Sequence, residues 1–235
     1  MGTERERLLN GYVPEKKAWD ATFPWIYYIA RPVSFPLTLL LRKAGAKPDH
    51  VTLLTAALGT LSLPALASGM HGYMIVGGAA LLFYTIFDCV DGNLARGWPE
   101  TASRAGKYWD GLVGNFYILS YFALGIGLGG KYFPLAGAGI TIAKLLSVRI
   151  KTDFWTLLGE KWESEKKSSG FVPHTGRVYY RLYYNLTDPQ AHIALLPLML
   201  AGGLGPWFLG VSALISAGEV LFSVFFYLSR SARLR

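Results

Sequence analysis

Long apolar stretches separated by short polar or glycine-containing breaks dominate the chain from residue 51 to residue 228. A helix needs about 20 mostly apolar residues to cross a bilayer, and six stretches come near this length, some with polar interruptions. They are residues 51–69, 73–95, 104–128, 133–150, 189–207 and 209–228. The pattern therefore predicts an all-α integral membrane protein with six transmembrane helices.

Two further segments are too polar or too interrupted to span a bilayer. Residues 21–47 mix aromatic, proline and basic residues, which favours an interfacial amphipathic segment ahead of the first span. Residues 151–188 form a long polar connection between the fourth and fifth spans, for which we expect some helix at the membrane interface. The expected organisation is an N-terminal and interfacial segment over 1–47, a six-helix transmembrane domain over 48–228 and a basic tail over 229–235.

Composition and charge agree with a protein whose partner is the lipid bilayer. The chain is 52% hydrophobic and only 16% charged, whereas soluble domains carry about 25% charged residues. Its net charge of +8 does not indicate a nucleic-acid partner, because nearly all basic residues lie in the N-terminal segment, two of the connections and the tail. Cytoplasmic loops are enriched in Lys and Arg. We therefore expect both termini and the 151–188 loop in the cytoplasm.

Three aspartates interrupt the second and third predicted spans. Asp88 and Asp91 are three residues apart and therefore share one helix face, and Asp110 lies near the same end of the next span. A carboxylate inside a bilayer normally faces a partner or a polar cavity. Three converging carboxylates repel one another unless they are protonated or hold a cation, and oxygen ligands favour Mg²⁺, Mn²⁺ or Ca²⁺ over zinc. The spacing predicts a site for a hard divalent cation.

The neighbours of the acids favour a ligand site over simple helix packing. Gly92 and Gly106 allow a ligand to approach the backbone closely. Arg96 can neutralise one acid or bind a phosphate through its forked guanidinium. For any single residue a capping or packing role competes, since small residues four apart also pack helices together. The combination of acids, glycines and arginine outweighs that alternative.

The stretch from residue 88 to residue 110 resembles the signature of the CDP-alcohol phosphotransferases, D-x2-D-G-x2-A-R-(about 8 residues)-G-x3-D-x3-D. The residues that match are Asp88, Asp91, Gly92, Ala95, Arg96, Gly106 and Asp110. Nine residues separate Arg96 from Gly106, one more than the commonest spacing. The segment KPDHVTLL, residues 47–54, is similar to the family's Pro-Asn-x-x-Thr start of the first span, with Asp49 in place of Asn.

This resemblance implies a transferase that moves a substituted phosphate group from a CDP-linked donor to an alcohol or a phosphorylated acceptor and releases CMP, in phospholipid or related lipid biosynthesis. Mg²⁺ or Mn²⁺ would be bound by Asp88, Asp91 and Asp110, with Asp91 and Asp110 also acting in catalysis. The nucleotide would contact Asp88, Gly92, Ala95, Arg96 and Gly106. The resemblance further implies a homodimer whose transmembrane domain is catalytic and whose active site faces the cytoplasm.

The chain departs from the family pattern at residue 114, where Gly114 replaces the fourth aspartate, the proposed base for the acceptor hydroxyl. Three explanations remain open. Another residue serves as the base, with His174 the candidate and His50 and His192 as alternatives; Glu219 lies too deep. The acceptor is already ionised and needs no base. The protein is a non-catalytic binder of CDP nucleotides. A transporter or channel is a weaker further alternative.

Basic residues of the fourth span are candidates for acceptor binding. Lys144 lies within the apolar stretch, and an intramembrane lysine is a candidate functional residue by default. Arg149 follows near the cytoplasmic end. The resemblance implies that such a basic pocket binds the phosphate of a phosphorylated acceptor. The competing interpretations are an ion pair of Lys144 with one of the aspartates and a membrane-interface anchor for Arg149.

Overall fold

The computed structural model describes residues 3–168 and 178–233, and within these ranges every regular element is a helix. This confirms the predicted all-α fold. Five helical segments are long and apolar enough to cross a membrane, which agrees with an integral membrane protein. They are Pro48–Ala67, His71–Gly97, Arg104–Leu128, Tyr132–Glu160 and Gly205–Ala232.

The N-terminal segment folds into short helices that pack on the membrane-spanning part. Helices α1 (Glu4–Asn10) and α2 (Pro14–Asp20) precede a π-helical turn over Ile26–Ala30, which continues directly into α3 (Arg31–Lys43). Thr3 caps α1, because its hydroxyl accepts from the Glu6 amide at 3.2 Å. The inner face of α3 is polar, and α3 presents large apolar side chains outward. This arrangement agrees with the predicted interfacial amphipathic segment.

The first three predicted spans correspond to α4 (Pro48–Ala67), α5 (His71–Gly97) and the pair α6 (Arg104–Val113) and α7 (Phe116–Leu128). Helices α4 and α7 approach so closely that a Cβ added to Gly127 would collide with the Leu66 carbonyl oxygen. Tyr84 and Tyr117 pack edge to face in the core between α5 and α7, with ring centroids 4.3 Å apart. Close packing therefore fixes α7 against α4 and against α5, the helix that carries Asp88 and Asp91.

Helix α8 (Tyr132–Ser168) extends well beyond the predicted fourth span. The first part of the predicted 151–188 loop is therefore helical, since KTDFWTLLGEKWESEKKS is rich in good helix formers and contains no proline. Helix α9 (Val178–Thr187) covers the end of the same loop. The connection over 151–188 is therefore helical over most of its described residues, more than the partly helical connection that the sequence predicts.

The predicted fifth span is built from two short helices, α10 (Pro189–Ile193) and α11 (Leu196–Ala201). A turn separates them, and Pro197, which lacks a backbone N–H, lies in the first turn of α11. A bilayer crossing by the predicted fifth span, and with it the total of six spans, therefore stays a prediction. Helix α12 (Gly205–Arg233) packs along α8 and completes the bundle.

Candidate functional site

Helices α5 and α6 bring the three aspartates together. One carboxylate oxygen from each of Asp88, Asp91 and Asp110 lies within 4.8 Å of the others. Asp88 and Asp91 lie one helical turn apart on α5, as their spacing predicts, and α6 supplies Asp110 from the other side. The predicted convergence of the three aspartates is confirmed.

Hydroxyl groups on α4 and α5 fix this arrangement. Thr52 on α4 donates a hydrogen bond to Oδ2 of Asp91 at 3.0 Å, which orients a carboxylate that is 6% exposed. The Tyr84 hydroxyl donates to the Val113 carbonyl at 2.7 Å. Because Val113 is the last residue of α6, this bond connects α5 to the helix that carries Asp110.

A cavity of about 300 Å³, termed here the glycine-lined cavity, opens beside the aspartates. Its lining residues are Pro48, Asp49, Thr52, Asp91, Gly92, Ala95, Arg96, Ala102, Ser103, Gly106 and Asp110. The Arg96 guanidinium folds over Gly92, where a Cβ would lie 3.0 Å from Nη1. All predicted nucleotide-contacting residues except Asp88 therefore share one cavity.

Asp49 closes one wall of the glycine-lined cavity. Ser103, the N-cap of α6, donates from its hydroxyl to Oδ2 of Asp49 at 2.8 Å and accepts from the Gly106 amide at 2.8 Å. The Asp49 Oδ1 atom is buried and has no hydrogen-bond partner among the described residues. The sequence identifies Asp49 only as a departure from the Asn of the family pattern.

A second cavity of about 210 Å³, the polar cavity, lies against the same aspartates. It is lined by Lys16, Trp19, Asp20, Phe23, Ile26, Arg31, Asp88, Cys89, Asp91, Gly92, Arg96, Asp110, Asp188 and Gln190. Sequence reasoning missed the contribution of α2, α3 and residues 188–190. The one available signal was a basic residue, Arg31, directly after the apolar stretch FPWIYYIA.

The buried Arg31 guanidinium organises the wall of the polar cavity. Its Nε donates to Oδ2 of Asp20 at 2.7 Å, and its Nη1 donates to Oδ1 of Asn93 at 2.6 Å. Lys16 forms an ion pair with the other oxygen of Asp20 at 2.9 Å. Burial alone would raise the pKa of the Asp20 carboxyl, but these two cations outweigh it and hold that pKa below its usual value.

The helix that carries Asp110 ends at the position of the missing fourth acid. The chain turns at Gly114 and Asn115 before α7 begins. Gly114 is exposed, and a Cβ there would meet only carbonyl oxygens of its own helix at 3.7 Å. The Asn115 side chain donates to the Leu112 carbonyl at 3.1 Å. Asn115 therefore serves the helix end and does not replace the missing carboxylate.

Asn115 also borders an apolar cavity of about 560 Å³. Trp109, Leu112 and Phe116 line this apolar cavity, and it adjoins the glycine-lined cavity at Asp49, Thr52 and Gly106.

None of the described candidate histidines lies in these three cavities. His50 is exposed at the start of α4, where its Nδ1 accepts from the Lys47 amide at 3.5 Å. His192 lies 2.9 Å from the Tyr121 hydroxyl through Nδ1. His174 lies outside the described residues. The described contacts therefore favour neither His50 nor His192 as the base.

The predicted acceptor-binding residues lie apart from the aspartates. Lys144 is buried, and its Nζ contacts Oε2 of Glu219 at 2.6 Å and the Thr187 carbonyl at 2.5 Å. Arg149 forms an exposed pair with Asp153 at 2.6 Å. Neither lines any of the three cavities. The alternative pairing of Lys144 with a site aspartate is wrong, because its partner is Glu219.

Comparison with known proteins agrees with the position of this site. Residues 46–171 match the family model for CDP-alcohol phosphatidyltransferase, which is more than half of the 235 residues. The chain belongs to this family. It is therefore of the transferase type, and the family typically depends on a divalent metal. A search of curated proteins found no match. All three aspartates lie inside the matched range, whereas Lys16, Asp20, Arg31 and Asp188 lie outside it.

The donor set of this CDP-alcohol phosphatidyltransferase-family protein fits a hard divalent cation. Oxygen atoms on opposite sides of Mg²⁺ at 2.0–2.1 Å from the ion are about 4.2 Å apart. The three carboxylate oxygens already lie within 4.8 Å of one another, so small side-chain movements suffice for them to share an ion. The chemistry and the spacing of these residues therefore agree with the family's use of a metal.

Proposed function

We propose that the protein catalyses the divalent-metal-dependent transfer of a substituted phosphate group from a CDP-linked donor to an acceptor, with release of CMP, in phospholipid or related lipid biosynthesis. The observation that carries the proposal is the convergence of three carboxylates at the edge of the glycine-lined cavity, inside the residues that match the family. Phosphoryl transfer requires little covalent chemistry from the protein, so positioning and charge compensation supply most of the catalysis.

In this proposal Asp88, Asp91 and Asp110 bind Mg²⁺ or Mn²⁺. The ion supplies charge compensation for the diphosphate and for the leaving CMP. Thr52 holds Asp91 in its orientation through the 3.0 Å hydrogen bond. Arg96, whose guanidinium borders both cavities, binds a phosphate oxygen pair.

The remaining lining residues give the nucleotide room. Gly92, Ala95 and Gly106 present at most a methyl group to the glycine-lined cavity, so a diphosphate and its ribose can approach the backbone.

Because Gly114 replaces the fourth aspartate of the family pattern, the base that would receive the acceptor proton is not identified. His174 remains a candidate on its sequence, and an acceptor that needs no base remains the alternative. The dependence of rate on pH distinguishes them. A histidine base predicts a rate that falls below about pH 7. A reaction without a base predicts a nearly constant rate between about pH 6.5 and 8.5.

The setting of the reaction follows from charge and family. We propose that the active site and both termini face the cytoplasm, because basic residues are concentrated in the N-terminal segment and in the connections next to the aspartates. A water-soluble nucleotide then enters from the cytoplasm while the lipid substrate stays in the bilayer. A homodimer, as the family resemblance implies, is part of the same proposal. Acceptor binding by Lys144 and Arg149 stays a prediction from the sequence, and their contacts with Glu219 and Asp153 do not favour it.

One observation favours a second candidate function, a membrane protein that binds CDP nucleotides without turnover. The exposed Gly114 presents no side chain where the family has its fourth acid. In that case the aspartates and the glycine-lined cavity retain the nucleotide, and the chemistry is lost.

Purified protein in lipid nanodiscs, incubated with labelled CDP-diacylglycerol or CDP-ethanolamine and a panel of acceptors, separates the two functions. CMP release that requires Mg²⁺ or Mn²⁺ supports the transferase. Saturable binding of cytidine nucleotides with no CMP release from any donor–acceptor pair supports the second candidate.

A further inference from the structure

Asn93 connects the N-terminal segment to the arginine that borders both the glycine-lined cavity and the polar cavity. Its side chain is buried, and its Oδ1 accepts from Nη1 of Arg31 at 2.6 Å and from Nη2 of Arg96 at 3.3 Å. Arg31 belongs to α3, whereas Asn93 and Arg96 lie one turn apart on α5. A single amide oxygen therefore joins two guanidinium groups from different helices.

The nitrogen of the same amide is held by α3. Nδ2 of Asn93 donates to Oγ of Ser34 at 3.0 Å and to Oγ1 of Thr38 at 3.2 Å. Both hydroxyls are able to accept because each donates its own hydrogen to a backbone carbonyl of α3, at 2.8 Å for Ser34 and 2.7 Å for Thr38. An asparagine amide has two donor hydrogens and one oxygen with two lone pairs. Every hydrogen-bonding position of Asn93 is therefore used, which fixes the amide in one orientation.

The position of Arg96 depends on this amide. Among the described residues, Asn93 is the only hydrogen-bond partner of Arg96, and Arg96 forms no ion pair. The Arg96 guanidinium lies against Gly92, where an added Cβ would be 3.0 Å from Nη1. The charge of Arg31, by contrast, is paired with Asp20 at 2.7 Å. The neutral Asn93 therefore orients Arg96 without neutralising it, which leaves its positive charge for a ligand.

Building on the proposed function, in which Arg96 binds phosphate, we propose that Asn93 is a positioning residue for this arginine and that α3 acts on the phosphate-binding site through it. Ser34 and Thr38 hold the amide, and the amide oxygen holds the Arg96 guanidinium over Gly92. Without the amide, the Arg96 side chain would have to be ordered when the ligand binds, and this ordering lowers affinity.

The family pattern gives residue 93 no role. It is one of the two variable positions in D-G-x2-A-R, between Gly92 and Arg96. Its partners Arg31, Ser34 and Thr38 all precede the family-matched residues 46–171. The network is therefore assigned to residues of this chain that the family signature does not contain.

The role of Asn93 is tested by Asn93→Ala and Arg96→Met, alone and together, in the full-length protein in lipid nanodiscs. Calorimetric titration with CDP in the presence of Mn²⁺ measures the Kd. We expect Asn93→Ala to weaken CDP binding about fivefold, because Arg96 is then no longer held in place. Arg96→Met should weaken CDP binding further. The double variant should bind CDP no more weakly than Arg96→Met, because Asn93 acts only through that side chain.

Thr38→Val tests the contribution of α3 with a smaller change, since it keeps the side-chain shape and removes one acceptor of the Asn93 amide. Thr55→Val is the matched control. Thr55 is also buried and also donates to the carbonyl four residues earlier, at 2.9 Å from Val51, but it lines none of the three cavities. We expect Thr38→Val to weaken CDP binding about threefold and to have no effect in the Arg96→Met background. Thr55→Val should bind CDP like the wild type.

The outcomes separate this inference from the proposed function. Wild-type CDP affinity in Asn93→Ala, or an equal loss in the presence and absence of the Arg96 side chain, overturns the inference and leaves the nucleotide site standing. If Asn93→Ala does not fold, Thr38→Val decides. A loss of affinity that requires Arg96 supports the inference, and wild-type affinity contradicts it. No binding of CDP to the wild type overturns the proposed function and the inference together.

Discussion

The carboxylate of Asp49 on α4 lies directly against the backbone of Gly106 on α6, and no side chain of α6 separates the two. A Cβ at residue 106 would collide with Oδ1 of Asp49. We expect Gly106→Ala to push the Asp49 carboxylate away and to break its 2.8 Å hydrogen bond with Ser103. Since both residues line the glycine-lined cavity, the KM for the CDP-linked donor should rise about tenfold, or about 1.4 kcal/mol.

Gly111→Ala is the matched control for this variant. Gly111 lies on the same helix, and a Cβ there would meet nothing within 4 Å. Alanine is a better helix former than glycine by about 1 kcal/mol, so this variant should fold at least as well as the wild type. Because the added methyl group touches nothing, the donor KM should stay at the wild-type value. Equal effects of the two alanines on KM would show that the Asp49–Gly106 contact is unimportant.

The open surroundings of Gly114 allow a fourth acid to be tested directly. Its backbone is in the right-handed helical region, and the atoms nearest to an added Cβ are 3.7 Å away, so Gly114→Asp should fold normally. The new carboxylate would follow Asp110 by one helical turn. We expect the variant to bind Mn²⁺ several-fold more tightly, measured by titration in detergent.

Gly111→Asp adds the same charge at a position directly after Asp110, about 100° round the helix. It should leave Mn²⁺ affinity near the wild-type value. If Gly114→Asp binds Mn²⁺ no more tightly than the wild type, the turn after Val113 carries position 114 away from the metal site.

The Asp20–Arg31 pair should stabilise the N-terminal segment over a wide pH range. Both side chains are buried, so Asp20→Asn leaves Arg31 without its charge partner and should cost about 3–5 kcal/mol. The pKa of Asp20 is lowered, so its contribution is fully present above the unfolded value of 3.8 and is lost as the pH falls through the still lower folded value. The Tm difference between wild type and Asp20→Asn should therefore stay constant from pH 8 to pH 5. A difference that shrinks within that window would contradict this assignment.

Glu219 forms ion pairs with two lysines of α8, and its removal should destabilise the packing of α8 against α12. Its oxygens lie 2.6 Å from Lys144 and 2.8 Å from Lys151. Glu219→Gln leaves the buried Lys144 without a charge partner and should cost about 3–5 kcal/mol in unfolding free energy, measured by thermal unfolding in detergent. The double variant Lys144→Met/Glu219→Met should recover much of that loss. If the double variant is less stable than the single one, the pair is not the source of the effect.

The membrane-spanning architecture and the clustering of the three aspartates were largely predictable from sequence. Apolar length fixes which segments can cross a bilayer, and the i, i+3 spacing places Asp88 and Asp91 on one face whatever the tertiary packing. Asp110 joins them because consecutive antiparallel helices return to the same depth. These relations are local or follow from the order of the helices, so they can be predicted from the sequence pattern.

The polar cavity was not predictable in the same way. Arg31 meets Asn93 only after α3 folds back on α5, and no spacing rule connects residues that are 62 positions apart in the chain. The partner of Lys144 was missed for the same reason, since Glu219 is 75 residues away. The break of α6 at Gly114 was also missed, because the apolar pattern continues through it.

Metal binding at the three aspartates is the central claim, and titration with Mn²⁺ followed by electron paramagnetic resonance tests it most directly. The wild type in the presence of CDP should bind Mn²⁺ saturably. Asp91→Asn should weaken binding at least about tenfold, the smallest loss expected when a residue of a metal site is removed. Asp153→Asn, which removes an exposed acid paired with Arg149, should bind Mn²⁺ like the wild type. Equal Mn²⁺ affinity in wild type and Asp91→Asn would contradict the account.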